Sequence, residues 1–322
     1  MCAEGFCKLS ERQFMLIEAL KAFLIGVVEG ITEWLPISST GHMILVDEFV
    51  KLNVSQDFLN LFLVVIQIGA IMAVIILYFS KLNPFSRKKT PEQRKGTWRL
   101  WGMVVIGCIP AAVIGMLLDD WVHDRFYTAS CVAAMLIVYG VIFIILERRN
   151  RTKIHRMQLA VSSRGRHARP MSQEEAALAI FKVKDVDDID AKTAFKIGLF
   201  QCLAIIPGTS RSGAIIIGSM LMGVSRTAAT EFAFFLAIPV MLGWGAVRTA
   251  RFIAAGLVMT QTEIVVLIVG VVTAFVVSIL SIKFLIGYIK RNDFTAFGWY
   301  RIIVGVIVLV FFGFTGSLFV MQ

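Results

Sequence analysis

The sequence predicts an all-α, polytopic integral membrane protein, with six transmembrane helices and two broken, re-entrant helix hairpins laid out as two inverted-topology repeats. Three observations carry this prediction. Of the 322 residues, 57% are hydrophobic and 17% charged, with a mean hydropathy of +0.78, against roughly 25% charged in soluble domains. The apolar residues fall in blocks close to the ~20 residues that a helix needs to cross the hydrocarbon layer. Two further apolar stretches are interrupted near their middles by Pro, Gly, Ser and charged residues, and these two match each other.

Taken along the chain, the N-terminus begins MCAEGFCKLSERQF, mixed and acidic rather than a basic patch leading into an apolar core, which predicts no cleaved signal peptide. The first interrupted stretch is 14–46. Full spans follow at 58–79, 100–118 and 128–146, then the second interrupted stretch at 194–223, then spans at 228–246, 263–287 and 302–321. The whole chain reads as one membrane domain, with a first repeat over 14–146, a polar loop over 147–192 and a second repeat over 193–321.

Loop charge sets the orientation. Lys81, Arg87, Lys88, Lys89, Arg94, Lys95 and Arg99 face only Glu92 in the first hydrophilic connection, and Arg148, Arg149, Arg151, Lys153, Arg156, Arg164, Arg166 and Arg169 crowd the start of the long polar loop. Both connections are therefore expected in the cytoplasm. The turn with Asp119, Asp120 and Asp124 then faces outward, the loop with Lys290, Arg291 and Arg301 inward, and both termini lie outside. The net charge of +10 is an orientation signal, and no nucleic acid partner is expected. Trp98, Trp101, Trp121 and Trp299 sit near span ends, where indole rings anchor at the interface. In the polar loop, 161–170 reads as disordered and 173–184 as a short amphipathic helix. The five cysteines are odd in number and lack metal-ligand spacing.

The internal repeat appears when AFLIGVVEGITEWLPISSTGHMI, from Ala22, is laid without a gap over AFKIGLFQCLAIIPGTSRSGAII, from Ala194. Ala22, Phe23, Ile25, Gly26, Ser38, Gly41 and Ile44 meet identical residues, Glu29 meets Gln201, Ser39 meets Arg211, and the Pro36 break falls beside Pro207 and Gly208. Three spans follow each copy, so the second copy is inserted upside down, as in many transporters. The two hairpins then enter from opposite sides, and their tips share a polar site near the midplane.

Glu29 and Glu33 lie four residues apart in an apolar helical stretch, which puts both carboxylates on one face. Charges inside a membrane mark pathways or reaction sites. Two such acids either hold a divalent cation through hard oxygen ligands or divide the roles of base and electrostatic partner. After Pro36 come the hydroxyls of Ser38, Ser39 and Thr40, then His42, within reach of Ser39 for nucleophilic or general-base chemistry. One of these hydroxyls is accounted for as a helix cap. In the second break, Gly208, Thr209, Ser210 and Ser212 surround Arg211 at the start of a half-helix, an arrangement suited to anionic phosphate oxygens. The alternative for Arg211 is an ion pair with Glu29 or Glu33.

At EGITEWLPISSTGH (29–42) and PGTSRSG (207–213) the chain resembles the bacterial undecaprenyl-diphosphatase, or bacitracin-resistance, family, and the span spacing agrees over nearly the whole length. The resemblance implies hydrolysis of a polyprenyl diphosphate, undecaprenyl diphosphate, to the monophosphate in the bacterial cytoplasmic membrane. That reaction recycles a lipid carrier for cell-wall synthesis and gives bacitracin resistance. It also implies a divalent cation, Mg2+ or Ca2+. By motif position, Glu29 and Glu33 match the family's acidic pair, Ser39 its nucleophile or phosphate-binding serine, His42 its acid/base and Arg211 its diphosphate clamp. A metal-activated water is the alternative nucleophile. The polar residues around them, Ser38, Thr40, Gly208, Thr209, Ser210 and Ser212, are expected to contact substrate. The site is expected to open on the periplasmic side. A competing class is a transporter or flippase of a phosphorylated lipid or anion, using the same midplane site. A hydroxyl, histidine and arginine together favour hydrolysis, since transport needs no nucleophile. The residues imply no particular oligomeric state.

Overall fold

The computed structural model describes residues 2–162, 172–256 and 258–316. These form twelve α-helices: α1 (Cys2–Thr32), α2 (Ser39–Phe49), α3 (Gln56–Leu77), α4 (Phe79–Leu82), α5 (Pro91–Phe126), α6 (Ala129–Ser162), α7 (Gln173–Ala179), α8 (Ala191–Gln201), α9 (Arg211–Leu221), α10 (Arg226–Ala254), α11 (Gln261–Arg291) and α12 (Thr295–Thr315). Among the described residues there is no strand, only an isolated bridge between Val183 and Val224. Six helices, α3, α5, α6, α10, α11 and α12, are long and apolar enough to cross a membrane. The protein is a multi-pass, all-α membrane protein.

Each predicted span lies within one of these six helices or overruns its end by one or two residues, and 317–321 of the last span falls outside the described residues. Three of the helices extend well past the predicted spans, for one physical reason. Hydropathy registers the hydrocarbon window, whereas a helix continues in water while its backbone bonds and polar side chains are satisfied. α5 thus runs through the predicted turn at Asp119 and Asp124 to Phe126, and α6 runs on to Ser162. The helix expected over 173–184 stops at Ala179, and Lys182 and Val183 instead donate to the Gly223 carbonyl. Of the segment expected to be disordered, Val161 and Ser162 close α6, and 163–170 falls outside the described residues. Trp98, Trp121 and Trp299 are exposed at span ends as anchors should be, whereas the Trp101 indole donates to the Leu82 carbonyl at 2.9 Å.

Helix pairs pack through small residues, as membrane helices do. A Cβ on Gly26 would stand 2.8 Å from the Gly270 carbonyl, and one on Gly30 2.8 Å from Val277, so α1 and α11 run side by side in the same direction. α6 and α12 cross antiparallel, with Gly140 and Gly298 each against the other's carbonyl. α10 is the central helix. Phe232, Phe234 and Phe235 are fully buried on it, and it packs on α3, α5 and α9. Exposed Ile76, Val105, Ile268 and Leu280 lie on the perimeter. A cation expected in a loop, Arg301, is instead inside α12 and fully buried.

Candidate active site

Both interrupted stretches break where the sequence puts proline and small residues. α1 ends at Thr32, the chain turns through 33–38, and α2 starts at Ser39. α8 ends at Gln201, a 3-10 turn (Cys202–Ile205) follows, and α9 starts at Arg211 after Pro207 and Gly208. The two restarts are built alike. Ser38 has φ 75° and its Oγ accepts from the Gly41 amide at 3.3 Å, and Ser210 has φ 70° and its Oγ accepts from the Gly213 amide at 3.2 Å. These aligned serines are the only non-glycine residues with positive φ among the described residues. Held in a disfavoured backbone region by their caps, they mark built, strained sites rather than casual loops. At Gly208 φ is +88° and a Cβ would lie 2.5 Å from the Val132 carbonyl, so only glycine fits.

The two breaks meet. Arg211 Nη2 donates to Glu33 Oε1 at 3.1 Å, while Ser39 Oγ donates to Glu33 Oε2 at 2.9 Å. Glu33 thus takes one bond from each break, and the ion pair read as an alternative for Arg211 is formed. Arg211 Nη1 donates to the Ala233 carbonyl at 3.1 Å, and its Nε is buried with no acceptor. A guanidinium with one donor left over, beside a hydroxyl, has the chemistry to bond an anion. Glu33, Ser39, Thr40, Gly208, Ser210, Arg211 and Ser212 line a cavity of about 190 Å³, walled on its apolar side by Val240, Met241 and Trp244. Gln67, halfway along α3, also lines it, so the cavity lies at mid-height of the bundle.

Four predicted residues stand off the cavity. Ser38 and Thr209 are buried, the first as the α2 cap and the second through its carbonyl. Glu29 is 2% exposed and its Oε1 has no partner, which is costly for a carboxylate. His42 and Ser39 are not hydrogen-bonded through their side chains. The His42 Nδ1 lies 2.7 Å from the Ser38 carbonyl and its Nε2 2.8 Å from the Tyr300 hydroxyl, with the two rings stacked. A carbonyl only accepts, so Nδ1 carries the proton and a neutral ring leaves Nε2 to accept from Tyr300. Ser39 and His42 share a face of α2, but the Ser39 hydroxyl turns back to donate to the Glu33 carboxyl.

Two participants escaped the sequence reading. Tyr300 lies 258 residues from His42, so nothing local announces the pair. Arg301 donates to the carbonyls of Pro36 at 3.2 Å, Gly208 at 2.9 Å and Thr209 at 3.0 Å. It pins the backbone of one break to that of the other. The available signal was a single cation beside an apolar run, which reads equally well as the end of a loop.

The family model described as bacitracin resistance protein BacA matches residues 22–307, which include both breaks, the first five spans and most of the sixth. The chain is 52% identical over 295 residues to the undecaprenyl-diphosphatase of Enterococcus faecalis, covering 92% of this chain and 98% of that protein. It is 51% identical over 298 residues to the undecaprenyl-diphosphatase of Desulfitobacterium hafniense, covering 92% and 97%. It is 50% identical over 299 residues to undecaprenyl-diphosphatase 1 of Clostridioides difficile, covering 93% and 98%. With residues 22–307 matched by the family model, and Glu33, Ser39 and Arg211 all among them, the chain belongs to the BacA bacitracin resistance protein family.

Proposed function

We propose that this chain is a membrane phosphatase that hydrolyses undecaprenyl diphosphate to undecaprenyl phosphate and inorganic phosphate. The observation that carries the chemistry is Glu33 bonded at once to the Ser39 hydroxyl and to Arg211, on the wall of one cavity. In this reading the terminal phosphoryl group sits against Arg211, whose free Nε supplies a donor. Ser39 Oγ attacks phosphorus, Glu33 takes its proton, and the P–O bond to the lipid monophosphate breaks. Water then releases phosphate from Ser39. Each step uses positioned donors where negative charge builds. A pure transporter needs no such hydroxyl-carboxylate pair.

A divalent cation, Mg2+ or Ca2+, belongs to the same reading. Glu29 in the last turn of α1 and Glu33 just past its end stand one turn apart, and the unpartnered, buried Oε1 of Glu29 suits a hard cation. Among the described residues no group of three or more His, Cys, Asp or Glu gathers, so the two carboxylates would hold the ion together with phosphate oxygens, as such ions are often held. When bound, the ion neutralises charge on the diphosphate. His42 and Tyr300, off the cavity, act by positioning the first turn of α2.

The paired serine caps support reading 14–146 and 193–321 as inverted repeats with re-entrant hairpins. Loop charge supports placing the end where α3 starts and α10 finishes outside the cytoplasm. Val240, Met241 and Trp244 lead from mid-height toward that end, so the cavity opens toward the periplasmic face. The test is phosphate release from undecaprenyl diphosphate by the detergent-purified chain. We expect turnover, its loss on chelation, and its return with Mg2+ or Ca2+. Glu29→Gln should raise the cation concentration needed for half-maximal rate by roughly ten- to a hundredfold, the usual cost of a weakened metal shell. Chelation-resistant turnover would remove the cation from this account.

A further inference from the structure

Beyond the cavity, the same face of α10 carries a second arrangement that the reaction does not use. Val240, Met241 and Trp244 wall the cavity, and one turn on comes Arg248, then Arg251. These two arginines line a separate cavity of about 140 Å³ with Asp57 and Asn60 from the first turns of α3. The Arg248 guanidinium carbon lies 5.4 Å from the centroid of the Trp244 ring, and its Nε is buried with no acceptor. Neither arginine is in an ion pair among the described residues.

Three considerations turn this into a site. Two guanidinium groups against one carboxylate leave the cavity positive, and Asp57 already complements the positive N-terminus of α3. A cation in the last turn of a helix is ordinary, which accounts for Arg251, but Arg248 lies a turn earlier and has a buried, unused donor. These cations also sit at the end of the bundle away from the basic loops, where the charge bias of membrane proteins does not call for them. From Val240 to Arg248 is about 12 Å along the helix axis. That is too far for one phosphate to touch both places and close enough for two to be handed along one wall.

We infer that Arg248 and Arg251 form a second anion site, at the mouth of the active-site cavity, that holds a phosphate-bearing group entering or leaving. The choice of phosphate among anions rests on the diphosphatase reading above; the existence of the site does not. Paired planar guanidinium forks suit phosphate oxygens in two parallel bonds. The group is either the headgroup of the incoming lipid or the released inorganic phosphate.

Binding measurements separate the two sources without turnover. The probes are inorganic phosphate and a methylene-bridged polyprenyl diphosphate, which cannot be hydrolysed, titrated into the full-length chain in detergent. If the site takes released phosphate, Arg211→Ala protein still binds inorganic phosphate, and adding Arg248→Gln with Arg251→Gln abolishes that binding. If it takes the lipid headgroup, Arg248→Gln with Arg251→Gln weakens the bridged lipid by roughly five- to fiftyfold, the range for one or two charge-assisted bonds. Either result supports the site. Should both affinities stay within about twofold of their reference proteins, with wild-type melting temperatures, the site is overturned. If the glutamine variants fail to fold, Arg248→Lys with Arg251→Lys keeps the charge and loses the forks, and the same two titrations decide. Absence of phosphate release by the wild type would refute the diphosphatase reading and leave these titrations intact.

Discussion

Glu33→Gln lowers kcat for phosphate release by about two to four orders of magnitude, the range for removing a positioned general base, and does so in a folded protein. Glu33 accepts from Ser39 at 2.9 Å and from Arg211 at 3.1 Å. Glutamine keeps the shape and one acceptor oxygen. It presents its NH2 to one of two donors, so either the serine loses its proton acceptor or the arginine meets another N–H. In the proposed mechanism the loss falls on kcat because Glu33 takes the proton of the Ser39 hydroxyl, and uniform binding of the lipid is mostly elsewhere. The check is steady-state kinetics in detergent with a melting curve for each protein. A folded Glu33→Gln protein with kcat within about twofold of wild type would take Glu33 out of the chemistry.

Arg211→Lys lowers turnover by roughly ten- to a thousandfold, about 1.4 to 4 kcal/mol for one electrostatic stabiliser, and Arg211→Ala is at least as severe. Lysine keeps the charge and three donors, but all three sit on one nitrogen, which cannot stand at once where Nη2 meets Glu33, Nη1 meets the Ala233 carbonyl and Nε is left for phosphate. If Arg211 works mainly as charge develops on the phosphoryl oxygens, kcat falls more than affinity. Normal kinetics in folded Arg211→Ala would reduce it to a structural ion-pair partner of Glu33.

Both predictions concern residues that the sequence offers directly, for a physical reason. Glu33, Ser39 and Arg211 are polar groups in apolar surroundings, and the bilayer makes such groups costly enough to stand out. The spans stand out likewise, since the hydrocarbon thickness fixes their length. What stayed hidden is whatever depends on distance along the chain or on water. His42 was matched to its neighbour Ser39, whereas its partner is Tyr300 on α12. Arg301 was given to a loop, whereas it is buried and spans both breaks. The watery extensions of α5 and α6 carry no hydropathy signal. Glu29 was legible as an intramembrane acid, but its exclusion from the cavity follows from packing that no local motif encodes.

The central claim is that one reaction centre is assembled from both breaks, with Glu33 and Arg211 acting as a unit. A double-mutant cycle in kcat tests it most directly: phosphate release from undecaprenyl diphosphate by wild type, Glu33→Gln, Arg211→Ala and the combined variant, each with a wild-type-like melting curve. Residues that act as a unit are strongly non-additive, so the combined variant is expected to be little slower than the worse single one. Losses that simply multiply would mean that the two residues act independently, and would contradict a shared centre.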